Sequence, residues 1–184
     1  GFETGETAPR PCIGRESDGD GDGFIDLPCT KPFTPPDPAT VATPIDPTVP
    51  VIFHEIIAFL YSGPQPVQRG LRPDAIQPYR VAVIRGLVKD DGGAPLAGVL
   101  VRVLGQADVG YTYTRADGIF DIAVNGGGEV VVDYVKSGYL RAQRKVDAPW
   151  GDWAWVDDTR MIQLDPAVET ITTGPGAPQQ LSRG

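Results

Sequence analysis

Residues 80–165 contain short, strand-like runs separated by turn signals, and this pattern restricts the possible folds more than any other feature of the sequence. Apolar residues alternate with polar ones or form brief runs rich in valine, as is typical of half-buried and buried strands. The span is interrupted by only two prolines, Pro95 and Pro149. The predicted strands are Val81–Val88, Val99–Leu104, Tyr111–Thr114, Ile119–Ile122, Glu129–Val135, Tyr139–Val146 and Arg160–Leu164.

The connections between these runs are short and rich in glycine, as at Asp90–Gly93, Asp117–Gly118 and Asn125–Gly128. Parallel neighbours need a crossover of roughly a dozen residues or more, so short connections favour antiparallel pairing. The sequence therefore predicts an all-β, seven-stranded antiparallel sandwich over residues 80–165.

The rest of the chain differs in composition. Glycine (23) and proline (19) are abundant among the 184 residues, which argues against a helix bundle because both break helix interiors. Residues 1–50 hold ten of the prolines and predict an extended, acidic, proline-rich arm. Residues 51–79 predict one short helix, over 51–61, and a connection, while 166–184 form a polar C-terminal tail.

The formal net charge of −8 disfavours nucleic acid as a partner, because binding to phosphates needs a basic surface. An anionic membrane surface is disfavoured for the same reason. No apolar run reaches the ~18 residues of a spanning helix, so we predict no membrane span.

A candidate calcium loop occupies residues 18–29. Its acidic residues follow the spacing of an EF-hand-type loop, with Gly23 at the sharp turn. Position 12 of that pattern, where glutamate is expected, is Cys29, so one ligand must come from elsewhere. A solvated acidic turn without an ion is the alternative. The predicted ligands are Asp18, Asp20, Asp22, the backbone carbonyl of Phe24, and Asp26.

Cys12 and Cys29 are the only cysteines, and they flank this loop. We predict that they form a disulfide, which implies an oxidising compartment. A zinc site is the weaker alternative, because no histidine lies nearby. The acidic run with its nearby cysteine resembles the calcium loops of thrombospondin type 3 repeats.

Trp150, Trp153 and Trp155 form the one aromatic cluster of the sequence. Trp153 and Trp155 are predicted to share a strand face. If exposed, the cluster could stack on sugars or on a partner protein; if buried, it would cap one end of the sandwich. The only histidine, His54, has no nucleophile signature around it, so we predict that the protein is not an enzyme.

Residues 85–146 resemble a carboxypeptidase regulatory-like domain. The resemblance implies a transthyretin-like sandwich of about seven strands and a non-catalytic role on secreted and surface proteins. It is carried by Arg85–Val103, Thr114–Phe120, Gly128–Val132 and Ser137–Tyr139.

A wider resemblance, to the N-terminal region of bacterial Rhs (YD-repeat) surface proteins, is carried by Phe59–Gly70, Trp150–Trp153 and Met161–Asp165. The YD repeats themselves are absent, so the chain is a fragment, a processed product or a stand-alone relative.

These observations predict a non-enzymatic, extracellular structural or interaction module of a secreted bacterial surface protein, rigidified by calcium and a disulfide. Its partners would be its own downstream domains or identical subunits. One alternative is a self-assembling filament or surface-layer subunit that packs through the ordered arm. Another is a module that binds carbohydrate or peptide at the Trp150–Trp155 edge.

Overall fold

A computed structural model describes residues 33–46 and 48–165. The chain divides into two compact units, Gly1–Phe33 and Thr34–Gly184, and the elements below belong to the second. The helices are α1 (Pro38–Val41) and α2 (Phe53–Ile57), with 3₁₀ turns at Ala58–Leu60 and Ala107–Val109. The strands are β1 (Val81–Lys89), β2 (Leu100–Val103), β3 (Tyr111–Tyr113), β4 (Ile119–Asn125), β5 (Gly128–Val135), β6 (Ala142–Ala148), β7 (Trp153–Trp155) and β8 (Thr159–Arg160).

The strands form two sheets, which confirms the predicted all-β sandwich. The first sheet has the order β4-β1-β7. Strand β8 also pairs with β1, at Val88 and Lys89, past the three residues of β1 that pair with β7. The second sheet has the order β3-β2-β5-β6. The central pair of the first sheet, β1 and β4, is antiparallel from Val81↔Asn125 to Leu87↔Ile119. Strand β1 is thus the central strand of the first sheet, because it pairs with β4, β7 and β8.

Two features of the first sheet depart from the predicted pattern. Strand β7 was not among the seven predicted strand ranges, although Trp153 and Trp155 were predicted to share a strand face, and β7 and β8 both run parallel to β1. Antiparallel pairing was predicted because the connections are short. That reasoning does not apply to β1 and β7, because more than 60 residues separate Lys89 from Trp153. The last predicted strand, Arg160–Leu164, is wrong in extent, since β8 ends at Arg160 and Gln163 forms only an isolated antiparallel bridge with Tyr139.

The proline-rich arm is not extended throughout its described part, because α1 lies within it. Pro38 occupies the first turn, where its missing N–H costs no hydrogen bond, and the Asp37 side chain accepts a hydrogen bond from Ala39 N. The predicted helix over 51–61 is confirmed in position. It begins at Phe53 and continues as a 3₁₀ turn to Leu60.

The main core fills the space between the two sheets. Successive strand residues point to opposite faces, so alternate residues of each strand enter this core. Gly86 faces inward in β1, and a Cβ there would collide with Phe120 and Val156. The largest buried contributors are Ile84, Val88, Phe120, Ile122, Val132, Tyr134 and Met161.

A second apolar cluster covers the outer face of the first sheet. Ile57, Leu60 and Val67 pack there against Val81, Val83 and Ala123. Strand β1 is therefore buried on both faces over its first half, which explains its nearly continuous apolar sequence.

Glutamine side chains cap the outer edge of β4. The Gln68 amide accepts a hydrogen bond from Ala123 N and donates to Ala123 O, and it also donates to Val109 O. Gln106 pairs in the same way, at longer distances, with the backbone of Asn125. The neighbouring edge of β3 is covered by an antiparallel bridge between Arg69 and Tyr111. This side of the sandwich is closed by the chain itself.

Tyr134 places a hydroxyl group in the main core. Its ring meets Phe120 edge-on at 5.7 Å, and no hydrogen bond of good geometry reaches the hydroxyl from the described residues. Burial raises the pKa of Tyr134 to about 12, an effect that the Thr159 side chain partly offsets. The hydroxyl therefore contributes desolvation cost with little compensation.

We expect Tyr134→Phe to leave the free energy of unfolding unchanged or to raise it by up to about 1 kcal/mol, measured by urea denaturation. The folded-state pKa exceeds the unfolded value, so the wild type loses stability as pH rises from 10 to about 12, and the variant lacks this part of the loss. Thr114→Val is the control, because the Thr114 hydroxyl is bonded to Val99 N and Leu96 O. It should cost about 1–3 kcal/mol. A similar cost for Tyr134→Phe would contradict the interpretation.

Candidate binding edge at strand β7

The three tryptophans of the chain are gathered at one edge of the sandwich, and all are exposed. The exposed fractions are 63% for Trp150, 40% for Trp153 and 56% for Trp155. The sequence left open whether the tryptophans are exposed or buried, and the structure shows that they are exposed. Trp153 and Trp155 share the outer face of β7, as predicted, because they lie opposite Val83 and Arg85 of β1.

A tight bend between β6 and β7 places Trp150. Gly151 has a φ of +63°, and the Asp152 side chain accepts a hydrogen bond from Trp153 N at 2.7 Å. The indole of Trp150 lies against Gly127 in the β4–β5 turn, where a Cβ would collide with it. The glycine turn therefore makes room for this tryptophan.

Trp153 is held in place by its neighbours. The Arg85 guanidinium lies over the indole, 5.0 Å from the ring centroid. Phe53 of α2 meets the same indole edge-on at 6.2 Å. A side chain fixed in this way loses less entropy on binding a partner than a freely rotating one.

Arg85 is itself fixed by a buried carboxylate. Asp121 lies opposite Arg85 in β4, with no side-chain exposure, and its Oδ1 is 2.5 Å from Arg85 Nε. Its other oxygen, Oδ2, is 2.8 Å from Arg115 Nη1. Each oxygen of Asp121 thus faces its own arginine. A series of contacts leads from the buried carboxylate through Arg85 to Trp153.

A groove of about 650 Å³ adjoins the tryptophans. It runs between β6 of the second sheet and β7 of the first, and the crossing segment at Pro149–Trp150 also lines it. The lining mixes aromatic rings with one carboxylate, that of Asp147. Such a surface suits a ligand that offers both stacking and polar groups.

The sequence predicted the tryptophans but not their supports. Arg85 and Asp121 lie inside strands whose only other polar side chains are the terminal Lys89 and Asn125, and a charged residue inside such a strand is the signal that could have found them. The predicted calcium ligands Asp18, Asp20, Asp22, Phe24 and Asp26 lie outside the described residues, as do Cys12 and Cys29. Calcium and the disulfide therefore stay predictions.

No cluster of three or more histidine, cysteine, aspartate or glutamate side chains suited to a metal occurs in 33–46 and 48–165. In the same part of the chain, no helix has the length and apolar character needed to cross a membrane.

Comparison with known families concerns the sandwich itself, which spans β1 to β8. Residues 76–161 match the Teneurin TTR-like domain. The matched range contains all eight strands of the sandwich, so the transthyretin-like fold implied by the resemblance is confirmed.

Teneurins are similar to the chain, two of those named here over more residues than that range. Zebrafish (Danio rerio) Teneurin-3 is 33% identical over 164 residues, which cover 80% of this chain but 6% of the relative. Mouse (Mus musculus) Teneurin-3 is 38% identical over 84 residues, 46% of this chain and 3% of the relative. Fruit fly (Drosophila melanogaster) Teneurin-m is 32% identical over 127 residues, 69% of this chain and 5% of the relative. The chain thus spans a small part of each teneurin.

The relatives named above are animal proteins, so the predicted bacterial origin and Rhs relationship have no support from them and stay predictions. Among solved structures, the 3-chlorocatechol 1,2-dioxygenase of Rhodococcus opacus 1CP is similar with a TM-score of 0.38 and 13% identity. The match covers 51% of this chain and 64% of the dioxygenase, and a likeness this distant carries no inference about function.

Proposed function

We propose that this protein is a non-enzymatic structural and interaction module of a larger extracellular protein, and that it docks on another protein surface through β7. The observation that carries the proposal is the exposure of Trp150, Trp153 and Trp155 at one edge of a sandwich that matches the Teneurin TTR-like domain. Calcium and a disulfide in the N-terminal arm, as predicted above, would rigidify the module.

Several properties of the edge support a protein partner. Tryptophan is enriched among the residues that dominate binding energy at protein interfaces. Trp153 is held by Arg85 and Phe53 before any partner arrives, which lowers the entropy cost of binding. Trp150 and Trp155 expose more than half of their surface, so much apolar area remains to be covered.

The matched region is a small part of each teneurin, which supports a role within a longer polypeptide. The zebrafish relative has this region as 6% of its length, so most of that protein consists of other segments. A small sandwich embedded in a long chain commonly serves as a spacer or a docking surface between other domains. We therefore propose that the partner of the β7 edge is protein that belongs to the same assembly.

Hydrogen exchange tests this proposal by comparing the 184-residue chain with the complete polypeptide in which it is embedded. We expect the backbone amides of residues 150–156 to exchange at least about tenfold more slowly in the complete polypeptide. The turn at residues 90–93 is the internal control and should exchange equally in both.

Equal exchange of residues 150–156 in the two proteins would contradict docking through this edge. Selective binding on a glycan array, lost in Trp155→Ala, would instead favour the carbohydrate alternative. Concentration-dependent assembly of the 184-residue chain would favour self-association.

A further inference from the structure

The two sides of the sandwich differ in how their strand edges are treated. On the β3–β4 side, Gln68 and Gln106 bond to the β4 backbone, and Arg69 bridges to Tyr111. An uncovered edge offers unpaired N–H and C=O groups to any passing strand, and natural sheets usually block it. The chain blocks this side with its own groups.

No described strand pairs with the outer edge of β7. The bonds from Val83 N to Asp152 O and from Val156 N to Arg85 O show that residues 152, 154 and 156 point their backbone groups at β1. In a parallel ladder the intervening residues point outward. The outward Trp153 N–H is bonded to the Asp152 side chain, whereas no described residue bonds to the Trp153 carbonyl or to either backbone group of Trp155.

The groove beside this edge has room for an added chain. Its volume of about 650 Å³ lies between β6 and β7 and is bounded at one end by Pro149 and Trp150. The rings of Trp153 and Trp155 rise on the outer face of the strand, next to the outward backbone groups. A strand placed here would continue the first sheet and lay its side chains along the indoles.

The acidic residues around β7 favour an added strand that is basic. Residues 147–158 contain four aspartates and no basic residue, and one of the four, Asp158, is paired with Lys89. Asp147 lines the groove opposite Glu129; Glu129 is paired with Lys145, whereas Asp147 forms no ion pair with a described residue. A lysine or arginine side chain of an added strand could pair with Asp147 and stack on Trp155, since Arg85 already lies over Trp153.

We propose that an extended, basic segment of the surrounding polypeptide adds to the outer edge of β7 as a further strand. This inference rests on the proposed function and names the chemistry of its partner. The edge offers only the Trp153 carbonyl and the two Trp155 groups, so a free peptide would bind weakly. A segment tethered in the same polypeptide has a millimolar effective concentration, which makes a short edge sufficient.

Because a free peptide binds weakly, the first test adds the 184-residue chain, up to the effective concentration of about 1 mM that a tether would supply, to a short fluorescent peptide that alternates lysine and valine. Binding is followed by anisotropy, and exchange of the Trp155 amide is followed by NMR. We expect saturable binding and slower exchange of the Trp155 amide. A peptide with glutamate in place of lysine should not bind. The double variant Asp147→Asn/Asp157→Asn should bind at least about threefold more weakly, whereas Asp91→Asn, in the β1–β2 loop, should bind as the wild type.

Backbone methylation distinguishes strand addition from simple charge attraction. One peptide carries N-methyl groups on its lysines and another on its valines, so each blocks the opposite edge of the added strand. We expect one to bind at least about tenfold more weakly than the parent and the other to bind like the parent. Equal binding of both, equal binding of the glutamate peptide, or no binding of the lysine peptide overturns the inference. Protection of residues 150–156 in the complete polypeptide would still support docking of another kind.

Discussion

Asp121→Ala is expected to lower the free energy of unfolding by about 3–5 kcal/mol, because it leaves the largely buried Arg115 with only a longer contact, of 3.8 Å, to Asp117. Asp121 has no side-chain exposure, and each of its oxygens faces an arginine. Arg115 is only 11% exposed, so water cannot replace the lost carboxylate well. Urea denaturation of the 184-residue chain measures the loss.

The same substitution should also alter the tryptophan edge. Without Asp121, Arg85 loses the group that holds its guanidinium over Trp153. We expect the tryptophan fluorescence of the folded variant to differ from that of the wild type, since the cation lies 5.0 Å from the ring centroid in the native arrangement. If too little Asp121→Ala protein folds, Asp121→Asn keeps the shape and should still cost about 2 kcal/mol.

Glu129→Gln is the matched control. Glu129 accepts from Lys145 at 2.7 Å, a distance similar to those at Asp121, but both side chains are more than half exposed. Exposed pairs contribute at most about 1 kcal/mol, so this variant should remain close to the wild type. Equal effects of the Asp121 and Glu129 substitutions would show that burial of the Asp121 carboxylate does not matter for stability.

The contrast between β1 and β7 shows how far the sequence predicts the fold. The apolar run from Val81 to Val88 predicts β1 because a strand buried on both faces needs nearly continuous apolar residues. Strand β7 has only three residues, and its partner lies more than 60 positions earlier. Neither its parallel direction nor the stacking of Arg85 on Trp153 leaves a local signal, since both arise from tertiary pairing.

Gln68, on the opposite side of the sandwich, is a second residue whose role could not be predicted from the sequence. It belongs to residues 62–79, whose prolines and glycines predict only a connection. The structure buries Leu60 just before this connection and Val67 within it, and it brings Gln68 to the edge of β4. A single side-chain amide that bonds to a strand edge leaves no periodic pattern in the sequence. Its role is therefore recognised only in the structure, where β4 and the connection lie side by side.

Gln68→Leu is expected to cost about 3–5 kcal/mol of unfolding free energy. Gln68 is 1% exposed and makes three hydrogen bonds of 2.5–2.9 Å, to Val109 O, Ala123 O and Ala123 N. Leucine fills a similar volume but leaves these backbone groups buried and unpaired, at a cost of about 1–3 kcal/mol each before relaxation. Urea denaturation gives the total, and exchange of the Ala123 amide reports the lost bond directly.

Gln106→Leu provides the comparison on the same edge, because Gln106 bonds to Asn125 in the same pattern but at 3.3 and 3.4 Å and is only partly buried. Water can reach Asn125 when that amide is removed, so we expect a cost of about 1 kcal/mol or less. The Ala123 amide should exchange faster in Gln68→Leu and remain protected in Gln106→Leu. If both variants lose the same stability, or if the Ala123 amide stays protected without Gln68, the edge of β4 is shielded by packing, and the glutamine amide is not what closes it.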